Sequence, residues 1–164
     1  MTDVEGLRPT PDRARETLFN WLQADVSGAS CLDLFAGTGA LGFEAASRGA
    51  HQVIMVEQQQ ALCDLIGQNM EMLNAEGVEL IHADALQWLR ACEQKFDLVF
   101  LDPPFFRNIH AIVCAILQEK DLLLTEARVY MESEPAVPVP TGFIIEKEGQ
   151  TGRVKFRLLK KLQN

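Results

Sequence analysis

The chain has 164 residues, 48% of them apolar, enough to bury a sizeable core in one domain and too many for a disordered chain or a disulfide-stapled miniprotein. Fifteen basic against 23 acidic residues give a net charge of −8, so the whole-chain field is not that of a nucleic-acid binder. Any polyanion partner needs a local basic surface, and no apolar run approaches a membrane span or the core of a signal peptide.

The first punctuation is Arg8-Pro9-Thr10-Pro11, with Thr10 suited to cap a helix and Pro11 to its first position. Leu18, Trp21 and Leu22 share a helical face, which predicts a helix over about residues 11–24. Strands and helices then alternate. Residues 31–35 read as a buried strand, and a glycine loop from Gly37 to Gly42 leads into a helix through Ala45 and Ala46. Residues 52–57 form the second predicted strand. Leu62, Leu65, Ile66, Met70 and Leu73 line a helix that Gly77 can terminate. Residues 78–82 are a third strand, and Asp84 can cap the helix that carries Leu86, Trp88 and Leu89. Residues 96–101 are a fourth strand, stopped by Pro103-Pro104. A helix over 109–117 and a strand over 128–132 follow.

Near-continuous apolar strands separated by helices predict an α/β doubly wound parallel sheet covered on both faces. After the prolines at 135, 138 and 140, two strand-like runs at 143–147 and 153–159 flank Gly149 and Gly152. They predict an antiparallel hairpin closing the sheet, with no second domain. Cys31, Cys63, Cys92 and Cys114 form no C-x-x-C pair and read as small buried hydrophobes in a reducing cytoplasm. His51, His82 and His110 lack metal-ligand spacing and are expected on the surface or in loops, so no metal is expected.

In such a sheet, ligands bind at the carboxyl ends of the strands. Three polar ends stand out. Asp33 precedes the loop Phe35-Ala36-Gly37-Thr38-Gly39, whose glycines allow a tight turn and close approach to a ligand. Glu57 can accept both hydroxyls of a ribose. Asp84, with Ala85 beside it, can accept from an adenine amine. Gly37-x-Gly39-x-x-Gly42 also satisfies a dinucleotide pattern. Asp33 tilts the choice, because a carboxylate there suits the ammonium of a methionine-like tail better than a pyrophosphate. That favours S-adenosylmethionine over NAD. The structural alternative is a packing turn in which Asp33 caps a helix or bonds the loop.

Asp102-Pro103-Pro104-Phe105 follows the fourth strand. An acid and a prolyl carbonyl can accept both N–H groups of an exocyclic amine, freeing its lone pair and stabilising the charge that develops on nitrogen. Phe105 offers a flat surface for the base. The competing reading is a plain turn.

These two segments resemble the S-adenosylmethionine-dependent amino-methyltransferases. Residues 8–22, RPTPDRARETLFNWL, are similar to the opening of the RsmD-type bacterial enzymes, and the resemblance extends through Tyr130-Met131-Glu132-Ser133-Glu134. It implies a Rossmann-like class I fold, a seven-stranded sheet with its last strand antiparallel. It also implies methylation of the N2 amine of one guanine in 16S ribosomal RNA, in the 30S subunit or an assembly intermediate. By the same resemblance the cofactor lies on the 33–39 loop, Glu57 and Asp84; the target amine on Asp102 and the Pro103 carbonyl; and the base on Phe105. Arg8 and Thr10 fall near the mouth of the site. The family carries a basic hairpin ahead of this segment, where this chain has seven residues.

Arg8, Arg13 and Arg15 cluster at the N-terminus, and Arg107 follows Phe105; Arg8, Thr10, Arg13 and Arg107 are the candidate RNA contacts. Arg153, Lys155, Arg157, Lys160 and Lys161 could also neutralise phosphates, but the favoured reading is a charged strand face that resists aggregation. A cytoplasmic monomer is expected. The Asp-Pro-Pro motif alone also permits another nucleobase amine, such as adenine N6 in DNA.

Overall fold

The computed structural model describes residues 12–104 and 108–162. Helix α1 spans Asp12–Trp21 and buries Ala14, Leu18 and Phe19; the Thr10-Pro11 start predicted for it lies outside the described residues. The elements then follow as β1 (Ser30–Asp33), α2 (Ala40–Ser47), β2 (Gln52–Glu57), α3 (Gln60–Leu73), β3 (Val78–His82), α4 (Ala85–Ala91), β4 (Phe96–Leu101), α5 (Ile109–Glu119), β5 (Leu123–Ser133), β6 (Phe143–Thr151) and β7 (Val154–Lys161).

The seven strands form one sheet in the order β3-β2-β1-β4-β5-β7-β6. The first five are parallel, and β7 is antiparallel to both β5 and β6. Successive strand residues feed opposite layers, as the pleat requires. Leu32, Leu34, Val99, Leu101, Val129 and Met131 pack under α4 and α5. Cys31, Met55, Leu98, Phe100 and Tyr130 pack under α1, α2 and α3. Chain order reverses between β1 and β4, the point at which such sheets bind ligands.

Several boundaries differ from expectation for local reasons. Helix α3 ends at Asn74 in the left-handed region, φ 48°, and not at Gly77. Gly77 serves a close approach instead: a Cβ there would sit 2.9 Å from the His51 carbonyl oxygen. Strand β5 begins five residues early, because Leu123 already pairs with Phe96 before the register shifts. Strand β6 runs through Gly149, which leaves room for the Phe156 ring opposite; a Cβ would lie 2.6 Å from that ring. The turn is only Gly152-Arg153. All four cysteines are buried and free.

Two side chains expected at the surface are internal. His110 is buried, its Nε2 2.8 Å from the Glu132 carbonyl oxygen, because α5 lays it on the sheet. Arg157 is buried as well. Its guanidinium donates from Nη1 to the Val137 carbonyl at 2.7 Å and from Nη2 to that of Pro135 at 3.4 Å, tying down the proline loop. By contrast, Lys155 and Lys160 do belong to a charged face, paired with Glu148 and Glu126. Hydrogen bonds to a charged donor each contribute about 1.5–3 kcal/mol. Arg157→Ala is therefore expected to cost about 3 kcal/mol in urea unfolding; a loss under about 0.5 kcal/mol would mean the loop is held otherwise.

Candidate active site

A cleft of about 280 Å³ opens at the carboxyl ends of β1, β2 and β4, where the chain order reverses. Register brings its acids together. Asp33 pairs with Met55 of β2 and with Phe100 of β4, so the end of β1 stands between Glu57 and Asp102. Asp33, Phe35, Ala36, Gly37, Thr38, Glu57, Asp84, Ala85, Asp102 and Pro104 all line the cleft.

Glu57 organises the glycine loop. Its Oε1 accepts from the Gly37 N–H and its Oε2 from the Gln59 N–H, both at 2.8 Å. One carboxylate thus fixes the loops after β1 and β2. Each oxygen keeps a further lone pair, so the pair could still accept two hydroxyls. Asp84 caps α4, as expected, by accepting from the Gln87 N–H at 2.9 Å. Its other oxygen could take a donor from a ligand.

Asp33 combines two of the readings open from sequence. It lines the cleft, and its Oδ2 also accepts from Gly42 N–H in the first turn of α2 at 3.1 Å. That satisfies one orphan donor of the helix. Burial pushes its carboxyl up to about 7; the Gly42 bond opposes this, while the charges of Glu57 and Glu132 add to it.

The three glycines divide their work. Gly37 lines the cleft with positive φ. Gly39 does not line it; it opens α2 at φ 84°, and a Cβ would strike the Phe43 ring at 2.8 Å. Gly42 lets α2 settle on β2, since a Cβ there would be 2.4 Å from Met55 Cε. The glycine pattern is therefore largely about seating the helix.

Asp102 is half-buried at the end of β4, followed by buried Pro103 and half-exposed Pro104. Pro104 lines the cleft and Pro103 does not. Arg13 is exposed near the start of α1. Phe105, Arg107, Arg8 and Thr10 lie outside the described residues. Sequence reasoning missed Gln58, Gln59 and Leu62, which line the cleft after Glu57. The His82 Nε2 lies 2.9 Å from the Gln58 carbonyl oxygen and steadies that loop. The signal for them was their place just beyond a strand-end acid.

Among the described lining residues there are four carboxylates (Asp33, Glu57, Asp84 and Asp102) and no lysine or arginine. Apolar walls come from Phe35, Leu62, Val56 and Leu86. Such a cleft suits a flat, partly apolar ligand that carries hydrogen-bond donors and positive charge, and it opposes a pyrophosphate. Among the described residues no group of three or more His, Cys, Asp or Glu could hold a metal.

A seven-stranded sheet of this order, with its cleft at the β1–β4 reversal and its terminal antiparallel strands, defines a class I methyltransferase fold. The solved structure of the Escherichia coli protein yhhF superimposes with a TM-score of 0.87 at 39% identity, covering 97% of this chain and 90% of that one. The Haemophilus influenzae protein named ribosomal RNA small subunit methyltransferase D is 41% identical over 160 residues, covering 94% of this chain and 83% of the relative. Its Escherichia coli namesake is 39% identical over 159 residues, covering 95% and 80%. A family model described as "Conserved hypothetical protein 95" matches residues 1–160. The chain belongs to this family, that of the RsmD methyltransferases.

The raised Asp33 group has a consequence for stability. Folded, it holds its proton more tightly than the unfolded chain does at 3.8. Its favourable contribution is full below pH 4 and is lost as pH rises through about 7. Asp33→Asn keeps an acceptor for Gly42 without the buried charge. The variant's stability relative to the parent should rise by about 3 kcal/mol between pH 5 and pH 8, in urea unfolding at both values. An equal difference at the two pH values would contradict this.

Proposed function

We propose that this chain transfers a methyl group from S-adenosylmethionine to the N2 amine of a guanine in 16S ribosomal RNA. The observation that carries the cofactor choice is the charge of the cleft: four lining carboxylates, with no cationic side chain among the described lining residues. A cationic ligand is attracted there, and the paired phosphates of a dinucleotide are repelled. Relatives named as small-subunit ribosomal RNA methyltransferases support the substrate class.

When bound, S-adenosylmethionine supplies a methyl group on a positively charged sulfur. Glu57 would hold the ribose hydroxyls with the lone pairs left free by Gly37 and Gln59. Asp84 and the backbone at Ala85 would take the adenine edge, against Leu86 and Phe35. Asp33 would face the ammonium group, whose charge favours the ionised carboxyl that burial opposes. The loop Ala36-Gly37-Thr38, held by Glu57, would lie against the methionine tail.

Asp102 would accept from one N–H of the guanine amine, and the Pro103 carbonyl from the other. Amine nitrogen conjugated to a base is a weak nucleophile. Acceptors on both hydrogens draw it toward a pyramidal shape and free its lone pair. The carboxylate then stabilises the positive charge that grows on nitrogen, and the surplus proton leaves to water afterwards. No general base is needed before transfer. Phe105 would stack on the base. Arg8, Thr10, Arg13 and Arg107 would meet the RNA backbone near the mouth of the cleft. The reading is of one methyltransferase domain acting as a cytoplasmic monomer on the 30S subunit or its precursor.

The test is nucleoside mass spectrometry on 30S subunits from a strain lacking this protein, with and without added enzyme. N2-methylguanine should appear in 16S RNA only with the parental protein. Asp102→Ala should lower the rate by about 100-fold or more while S-adenosylhomocysteine binds within about threefold of the parent. Methylated adenine in place of guanine, or a parental rate in the variant, would refute the assignment.

A further inference from the structure

One buried acid near the cleft has no part in the account above. Glu132 is 2% exposed near the end of β5 and does not line the cleft. Leu101 of β4 pairs with Met131 of β5, so Asp102, just past the end of β4, stands beside Glu132, which is still within β5. Alternation puts them on the same face as Asp33 and Tyr130. The Tyr130 hydroxyl, itself buried, donates to Glu132 Oε2 at 2.9 Å. The His110 Nε2 lies 2.8 Å from the Glu132 carbonyl oxygen, so main chain and side chain are both held.

Burying a carboxylate is unfavourable, and the core does not ask for one here. The partner of Glu132 on β7 is Phe156, against which an apolar side chain would pack. Among the described residues, Asp33 from β1, Asp102 from β4 and Tyr130 from its own strand share this face, while His110 of α5 reaches the main-chain carbonyl from the other layer. Glu132 adds to the upward push on the Asp33 carboxyl and, with Asp102, to that on the Tyr130 phenol. The buried acid is thus electrically coupled to the cleft floor.

Resting on the proposed methyl transfer at Asp102, we infer that Glu132 is a positioning residue for that reaction: a charge held by Tyr130 beside Asp102, which strengthens the field felt by the amine. Away from water its field is little screened. Positive charge on the amine appears only during transfer, so the effect falls on kcat and not on substrate binding.

Glu132→Gln keeps an acceptor for Tyr130 and removes the charge. Assayed on unmethylated 30S subunits, it should lower kcat by about tenfold or more with KM within about twofold of the parent. Its melting temperature should be equal or higher. The midpoint pH for binding S-adenosylhomocysteine should move down, because Asp33 loses a repelling neighbour; a merely structural role would leave it in place. Glu132→Asp should recover part of kcat. Tyr130→Phe, which leaves the charge and removes its donor, should lose several-fold in kcat, and decides the matter if Glu132→Gln does not fold. Parental kcat in whichever variant folds, or a kcat loss matched by a loss of melting temperature with no shift of the midpoint, overturns the inference. A parental protein inactive on 30S subunits would instead refute the functional reading on which it rests.

Discussion

Negative charge is crowded at one end of a hydrophobic sheet, and the rest of the site follows from that. Asp33, Glu57 and Asp102 stand at the carboxyl ends of three adjoining parallel strands, with Glu132 buried one strand further on. Like charges at low dielectric repel strongly. The fold tolerates them in part through donors: Gly42 to Asp33, Gly37 and Gln59 to Glu57, Tyr130 to Glu132. Among the described lining residues no lysine or arginine offsets them, a deficit that a sulfonium and an ammonium would relieve. In the proposed reaction, binding of the methyl donor and stabilisation of a cationic amine would draw on the same field.

The same donors fix the geometry. Glu57 ties the loop after β1 to the loop after β2, so the acid proposed to hold the ribose also shapes the glycine turn. Asp33 anchors the first turn of α2 while it faces the cleft. Structure and chemistry are therefore hard to separate by alanine scanning. Substitutions that keep hydrogen-bonding shape and delete charge, such as Asn for Asp, separate them best.

Much of this was legible in the sequence, because the signals were local. The apolar strands at 52–57, 78–82 and 96–101 carry their own limits, and the acids at or just after each strand end mark the cleft. The Asp84 cap follows from a short acid just before a helical pattern. What stayed hidden depended on distant neighbours. Gly149 looked like a turn residue, but its absent side chain makes room for Phe156. Arg157 alternates with other cations along β7, yet the proline loop folds over it and supplies carbonyls. His110 and Glu132 are ordinary polar residues in sequence; the packing of α5 on one face of the sheet buries His110 against the Glu132 carbonyl, and the Glu132 side chain is buried on the other face beside Tyr130. Whether Asp33 capped a helix or faced a ligand could not be decided from its position, and it does the one while lining the space for the other.

The most direct test of the charge account is calorimetric titration of S-adenosylmethionine into the protein at pH 6.5, in two buffers of different ionisation enthalpy. Asp33 holds its proton up to about pH 7 in the free protein and should surrender it beside the ammonium. The account predicts net release of protons on binding, abolished in Asp33→Asn. Binding with no proton exchange, or with uptake, would contradict it.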